Sequence, residues 1–176
     1  MAIRIATMTL IALFLSVATA GTAWAQDSVG DPVPLLNGTD KAKLLYSIPY
    51  AQSNADIATC VACTDVGKGA GSVGELFAVE FYQNGIGQND LTLGEGVESI
   101  NAGGDSDTIC TRSAASVDNE TTAGIAAEDI SHGVARIVAT TTKLVCTAFM
   151  VPVVGDPPGF MTILPLYKGT KQKGGM

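Results

Sequence analysis

Four cysteines, Cys60, Cys63, Cys110 and Cys146, are the residues of this chain whose type and spacing bear most directly on chemistry. Cys60-Val-Ala-Cys63 has the C-x-x-C spacing of a redox pair. A reactive pair of that kind sits at a helix N-terminus, where the helix dipole lowers the first thiol's pKa. Residues 57–64 (IATCVACT) instead alternate as a strand, and two further cysteines are at hand as partners, so the spacing points to structural bridges. His132 is the sole histidine, which argues against His-rich zinc and blue-copper ligand sets. Asp105-Ser106-Asp107 resembles part of a calcium loop but lacks the spaced acids and terminal Glu of an EF-hand, so it is read as a solvated turn. No metal site and no cofactor are expected.

Catalytic constellations are equally thin. Ser131 is the sequence neighbour of His132, and adjacent residues do not normally make a triad. Glu75 and Glu80 fall on opposite faces of their strand and so do not form a glycosidase pair. The glycine-rich residues 67–74 lack the G-x-x-x-x-G-K-[ST] order and precede a strand, not a helix. The expectation is a protein that is not an enzyme, without assignable catalytic or ligand-binding residues.

These residues must be held by strands. Residues 75–83 (ELFAVEFYQ) place Phe77, Val79 and Phe81 on one face and Glu80 and Tyr82 on the other, a half-buried strand followed by the turn signal Asn84-Gly85. Residues 134–150 (VARIVATTTKLVCTAFM) contain two alternating apolar runs, expected to be paired core strands. Shorter candidates are 44–49, ended by Pro49, the pieces 91–93, 97–101 and 108–112, and a last strand over 160–167 weakened by Pro165. Residues 125–130 are read as a single helical turn. Many short strands with turn signals about every ten residues describe an all-β, antiparallel β-sandwich, immunoglobulin-like in arrangement, with a jelly-roll as the alternative.

The ends carry different signals. Arg4, the apolar residues 8–20 and Ala23-Trp24-Ala25 have the form of a signal peptide, with cleavage expected before Gln26. Residues 26–41 read as a flexible leader, 42–168 as the sandwich domain and 169–176 as a basic flexible tail. The mature chain carries seventeen acids against nine bases, a net charge of about −8, which disfavours nucleic acid and anionic lipid. No second apolar segment is long enough to insert in a membrane after cleavage. A secreted, periplasmic or cell-surface location follows, and an even cysteine count in such a compartment reads as two disulfides.

Alternation favours particular pairs. Cys63 shares a face with Ile57 and Val61, and Cys146 with Leu144 and Met150, so both point inward. Cys60 and Cys110 point outward. That favours Cys63–Cys146 across the core and Cys60–Cys110 on an outer face, although four cysteines allow three connectivities. The segments Tyr46-Ser-Ile-Pro49, Cys63-Thr64, residues 135–140, Leu144-Val-Cys-Thr-Ala148, Pro157-Pro158 and the lysine-rich end resemble a group of small exported bacterial proteins of no assigned function. The resemblance implies a bacterial origin, a single β-sandwich and the Cys63–Cys146 pairing. It supplies no active site.

The functional expectation is a non-catalytic binding or envelope-structural module. Its partner would be an envelope or extracellular protein or glycan, met by the end loops 65–74 and 103–107. The alternative is a self-assembling homo-oligomeric surface subunit, in which Val33-Pro-Leu-Leu36 adds to a neighbour's sheet edge.

Overall fold

A computed structural model describes residues 30–67, 74–101, 105–112, 123–124, 130–153 and 161–169. The chain begins with a two-strand hairpin, β1 (Leu35–Leu36) and β2 (Asp40–Lys41). The long strands β3 (Lys43–Ser53), β4 (Ile57–Asp65) and β5 (Glu75–Gln83) follow. Next come β6 (Ile86–Gly87), β7 (Val97–Ile100), β8 (Ser106–Cys110) and β9 (Ala123–Gly124). The last four are β10 (Ile130–Ala139), β11 (Leu144–Pro152), β12 (Thr162–Leu164) and β13 (Tyr167–Lys168).

These strands form a β-sandwich. One sheet has the order β13-β3-β10-β5-β6, with β7 also paired to β5, and the other the order β12-β11-β4-β8-β9. Every pairing is antiparallel except the short β8–β9 contact. The core is filled from both inner faces: Ile48, Phe77, Phe81 and Ile137 from the first sheet, Val61, Ile109, Leu144 and Leu164 from the second. Period-two alternation places these side chains on the inner faces. The hydroxyl of Tyr46 reaches across to the Leu144 carbonyl at 3.4 Å.

The two runs of residues 134–150 are both core strands, but they do not pair with each other. β10 lies between β3 and β5, whereas β11 lies between β4 and β12 in the opposite sheet. Thr141 and Thr142 are β-branched and poorly suited to the positive φ of a tight hairpin turn. The chain here arches from one sheet to the other. The Asn84-Gly85 hairpin does form as expected, with both residues at positive φ (55° and 80°) between Gln83 and Ile86.

Pro49 acts differently from expectation, whereas Pro165 shortens the last strand and leaves it at a sheet edge, as expected. β3 continues through Pro49 to Ser53, because Pro49 and Tyr50 together oppose the single residue Val134, forming a β-bulge that absorbs the missing donor. Pro165 splits the expected last strand: β12 pairs with β11 in one sheet and β13 with β3 in the other. Residues 91–93 form a 3₁₀ turn and not an edge strand, because Asp90 caps it by accepting from Thr92 N and Gly94 closes it at φ 85°. Residues 125–129, where a helical turn was expected, lie outside the described residues, as does the tail beyond Gly169.

Gly133 marks the tightest strand contact. A Cβ there would sit 2.5 Å from the Tyr82 carbonyl oxygen and collide with the Ile130 side chain. Gly133→Ala is therefore expected to destabilise the fold by roughly 2 kcal/mol in urea unfolding, since the obstructing atom is backbone and cannot rotate away.

Candidate functional site

β4 is the strand on which the site is built. Cys60 lies directly opposite Cys110 on β8, and Cys63 directly opposite Cys146 on β11. Both pairs are disulfide-bonded. The two bridges leave β4 from opposite faces: Cys63–Cys146 belongs to the main core, and Cys60–Cys110 packs with Ala58, Phe149 and Val151 on the outer side of the same sheet. The expected pairs form. The expected path does not, because Cys63–Cys146 joins neighbouring strands of one sheet and does not span the core between sheets. Alternation fixes a residue's face but not which strand lies beside it. The disulfides mark a non-cytoplasmic, oxidising location for the folded chain, and none of the described helices is long and apolar enough to cross a membrane.

Immediately above the Cys63–Cys146 bridge, three connections meet at one end of the sandwich. Asp65 N donates to the Asp105 carbonyl at 3.2 Å, joining the β4–β5 and β7–β8 connections. Val66 N donates to the Lys143 carbonyl at 3.0 Å, bringing in the β10–β11 connection. Thr140 and Leu76 exchange bonds across the same end, from Thr140 N to the Leu76 carbonyl and from Leu76 N to Thr140 Oγ1. The described parts of both expected binding loops, 65–67 with 74 and 105–107, are thus brought together.

The carboxylates of this end do local structural work. Asp65 is buried and accepts from Gly67 N at 2.6 Å. Gly67 leaves room for both neighbours, since a Cβ would lie 2.7 Å from Lys143 Cδ and 2.9 Å from Asp65 Oδ1, and these side chains would have to shift. Asp105 Oδ2 accepts from Asn101 Nδ2 at 3.2 Å, and Glu75 Oε2 from Thr140 Oγ1 at 2.8 Å. Glu98 on β7 faces Asp107 on β8. Among the described residues of the three connections and the strand ends beside them, Asp65, Glu75, Glu98, Asp105 and Asp107 stand against Lys143 and, opposite Ala139, Lys43, so the end carries a surplus of acids. Among the described residues, no group of three or more His, Cys, Asp or Glu is placed to share a metal ion.

Burial and, after it, the neighbouring Asp107 charge raise Glu98 above the usual carboxylate range. The folded chain therefore holds this proton more tightly than the unfolded chain does. Stability falls as pH rises from the ordinary glutamate value of about 4.3 through the raised folded value. Glu98→Gln is expected to raise Tm at pH 7 and to leave it unchanged well below pH 4.3, where both side chains are neutral. An equal shift at both pH values would contradict this.

The remaining sequence candidates are dispersed. His132 is exposed near the other end of the sandwich, with its ring edge-on to Tyr50 at a centroid distance of 6.4 Å, and Ser131 N donates to Gln83 Oε1. Glu80 was expected on an exposed face and is instead buried in an ion pair with Arg136, its direct cross-strand partner. The reason is the leader, which the sequence leaves either poorly ordered or laid along the surface; in its described part the second holds. Residues 31–41 fold against the outer face of the first sheet, where Leu36 is fully buried with Ala78, Leu91 and Val138. The pair Leu35-Leu36 gives no signal of this, since Leu36 is buried and Leu35 beside it is exposed.

Comparison of the chain with protein-family models, with curated proteins and with solved structures returned no match.

Proposed function

We propose that the chain is an exported, non-catalytic module, periplasmic or extracellular, that binds an envelope or extracellular partner through the acidic loop end. One observation carries the reading: β4 is bridged to both neighbouring strands, and its Cys63–Cys146 bridge lies two residues below the point where three connections converge. Loops grafted on a covalently braced strand present a preorganised surface, which lowers the ordering cost of binding. The surplus of carboxylates selects a partner with a cationic face and gives it a salt-dependent association rate.

The test is comparative capture from the native cell envelope. The intact mature chain and a variant combining Asp105→Asn with Asp107→Asn are used as baits under identical conditions. The proposal expects partners retained by the wild type, released by salt and depleted on the variant. Equal capture by the two baits would overturn the loop-end assignment. Turnover of any substrate class with residue-sensitive kinetics would overturn the non-catalytic reading.

Assembly by adding Val33-Pro-Leu-Leu36 to a neighbour's sheet edge would first have to extract Leu36 from its own sandwich. A different form of self-association fits the leader better.

A further inference from the structure

The outer face of the first sheet combines a buried, incompletely satisfied donor with a cover that belongs to neither main sheet. Arg136 is 4 % exposed. Its Nε donates to Glu80, its Nη1 donates to the Asp31 carbonyl at 2.7 Å, and its Nη2 makes no hydrogen bond. A buried guanidinium nitrogen without an acceptor is uncommon in native proteins, and a segment identical to the present cover leaves it as it is. Because Glu80 already neutralises the charge, the remaining donor suits a neutral acceptor such as a backbone carbonyl better than a second anion.

The cover is residues 31–41. Its strands pair only with each other, Leu35 with Lys41 and Leu36 with Asp40. Its attachments to the body include Arg136 on the Asp31 carbonyl, Asn37 N on the Leu91 carbonyl at 3.0 Å, and the Leu36 side chain in its apolar hole with Val33 packed beside it. Pro32 and Pro34 hold the intervening segment extended and remove two backbone donors. The seat therefore recognises an extended peptide by one leucine plug, one accepting carbonyl and one donating N–H. Thr39, Asp40 and Lys41, which join the cover to β3, are exposed.

We propose that this groove is a peptide-binding site, filled in cis by residues 31–36 and able to take the same segment of a second copy in trans. The identical segment reproduces the Asp31, Leu36 and Asn37 contacts of the cis form, so exchange disturbs no ladder of the two main sheets; it gives residues 39–42 a different path at the cost of the short β1–β2 pairing. Reciprocal exchange gives a closed dimer, and one-way exchange a chain of copies. The proposal is independent of the loop-end partner.

The probe is a fluorescently labelled synthetic peptide of residues 30–41, added to the intact mature chain and followed by anisotropy. Saturable uptake is expected, weakened at least about tenfold when the peptide carries Leu36→Asp. A full-length chain with Leu36→Ala in its own cover should take up the unaltered peptide about tenfold more tightly than wild type, because the cis competitor is weakened. The Asp105→Asn, Asp107→Asn variant should bind the peptide as wild type does, which separates this result from the loop-end reading. No uptake by a folded Leu36→Ala chain overturns the proposal. If that variant fails to fold, wild-type chain decides: copies carrying donor and acceptor dyes should exchange into energy-transferring dimers on incubation, and their persistence as monomers overturns it.

Discussion

Glu80→Ala is expected to destabilise the sandwich by about 3–5 kcal/mol, read as a lowered midpoint in guanidinium unfolding with an unchanged slope. Glu80 and Arg136 are directly opposed on the two central strands of the first sheet, both nearly inaccessible to water. Removing the carboxylate leaves a guanidinium buried beside the Tyr82 ring, 5.3 Å from Arg136 Cζ, without its cross-strand counter-charge. The cost comes from the stranded charge and not from the net worth of the pair. Glu80→Leu combined with Arg136→Met should accordingly recover most of the loss, because it exchanges two desolvated charges for apolar volume. A single substitution costing under about 1 kcal/mol would mean the pair is solvated and the cover open.

That pair also shows where the sequence stops being informative. Alternation correctly assigns Glu80 and Tyr82 to the face opposite Phe77 and Phe81. It cannot say that the opposite face is itself covered, since the cover comes from a Pro- and Gly-bearing segment with no period of its own. The same limit explains β10 and β11. Each run carries its own inner and outer face in its residues, whereas the choice of neighbour depends on how the Thr141-Thr142 connection turns. Cys60 and Cys63 were legible as far as face and partner, because three residues along a strand reverses the side-chain direction. The loop end was legible as two glycine- and aspartate-rich connections. Their convergence was not, because it depends on backbone bonds between segments 40 residues apart, Asp65 N to the Asp105 carbonyl among them.

Replacing Cys63 and Cys146 together by Ala is expected to cost roughly 4–5 kcal/mol, the largest single contribution from covalent bracing. The bridge joins residues 83 apart in sequence, and loop-closure entropy in the unfolded chain grows with the logarithm of that length. The Cys60–Cys110 pair, 50 residues apart, should cost a few tenths of a kcal/mol less on the same entropic ground. Both sulfur pairs are packed against apolar neighbours, so Ala at these sites adds a cavity contribution to each. Urea unfolding of the two double variants, under conditions where the remaining bridge stays oxidised, measures the difference. A loss below about 1 kcal/mol for the Cys63–Cys146 variant would contradict bracing by that bridge. Because Asp65 follows Cys63 by two residues and bonds to Asp105, loss of this bridge should also loosen the loop end, visible as faster exchange of the Asp65 and Val66 amides.

The central claim is that the acidic end braced by β4 is the binding face. Amide NMR of the intact mature chain, titrated with a lysine-rich peptide as a cationic probe, tests it most directly. The account predicts salt-suppressible shifts concentrated at Val66, Asn101, Asp105, Ser106 and Lys143 and absent from the Asp105→Asn, Asp107→Asn variant. Shifts centred on the covered face around Leu36 and Arg136, or on the far end around Tyr50 and His132, would contradict it.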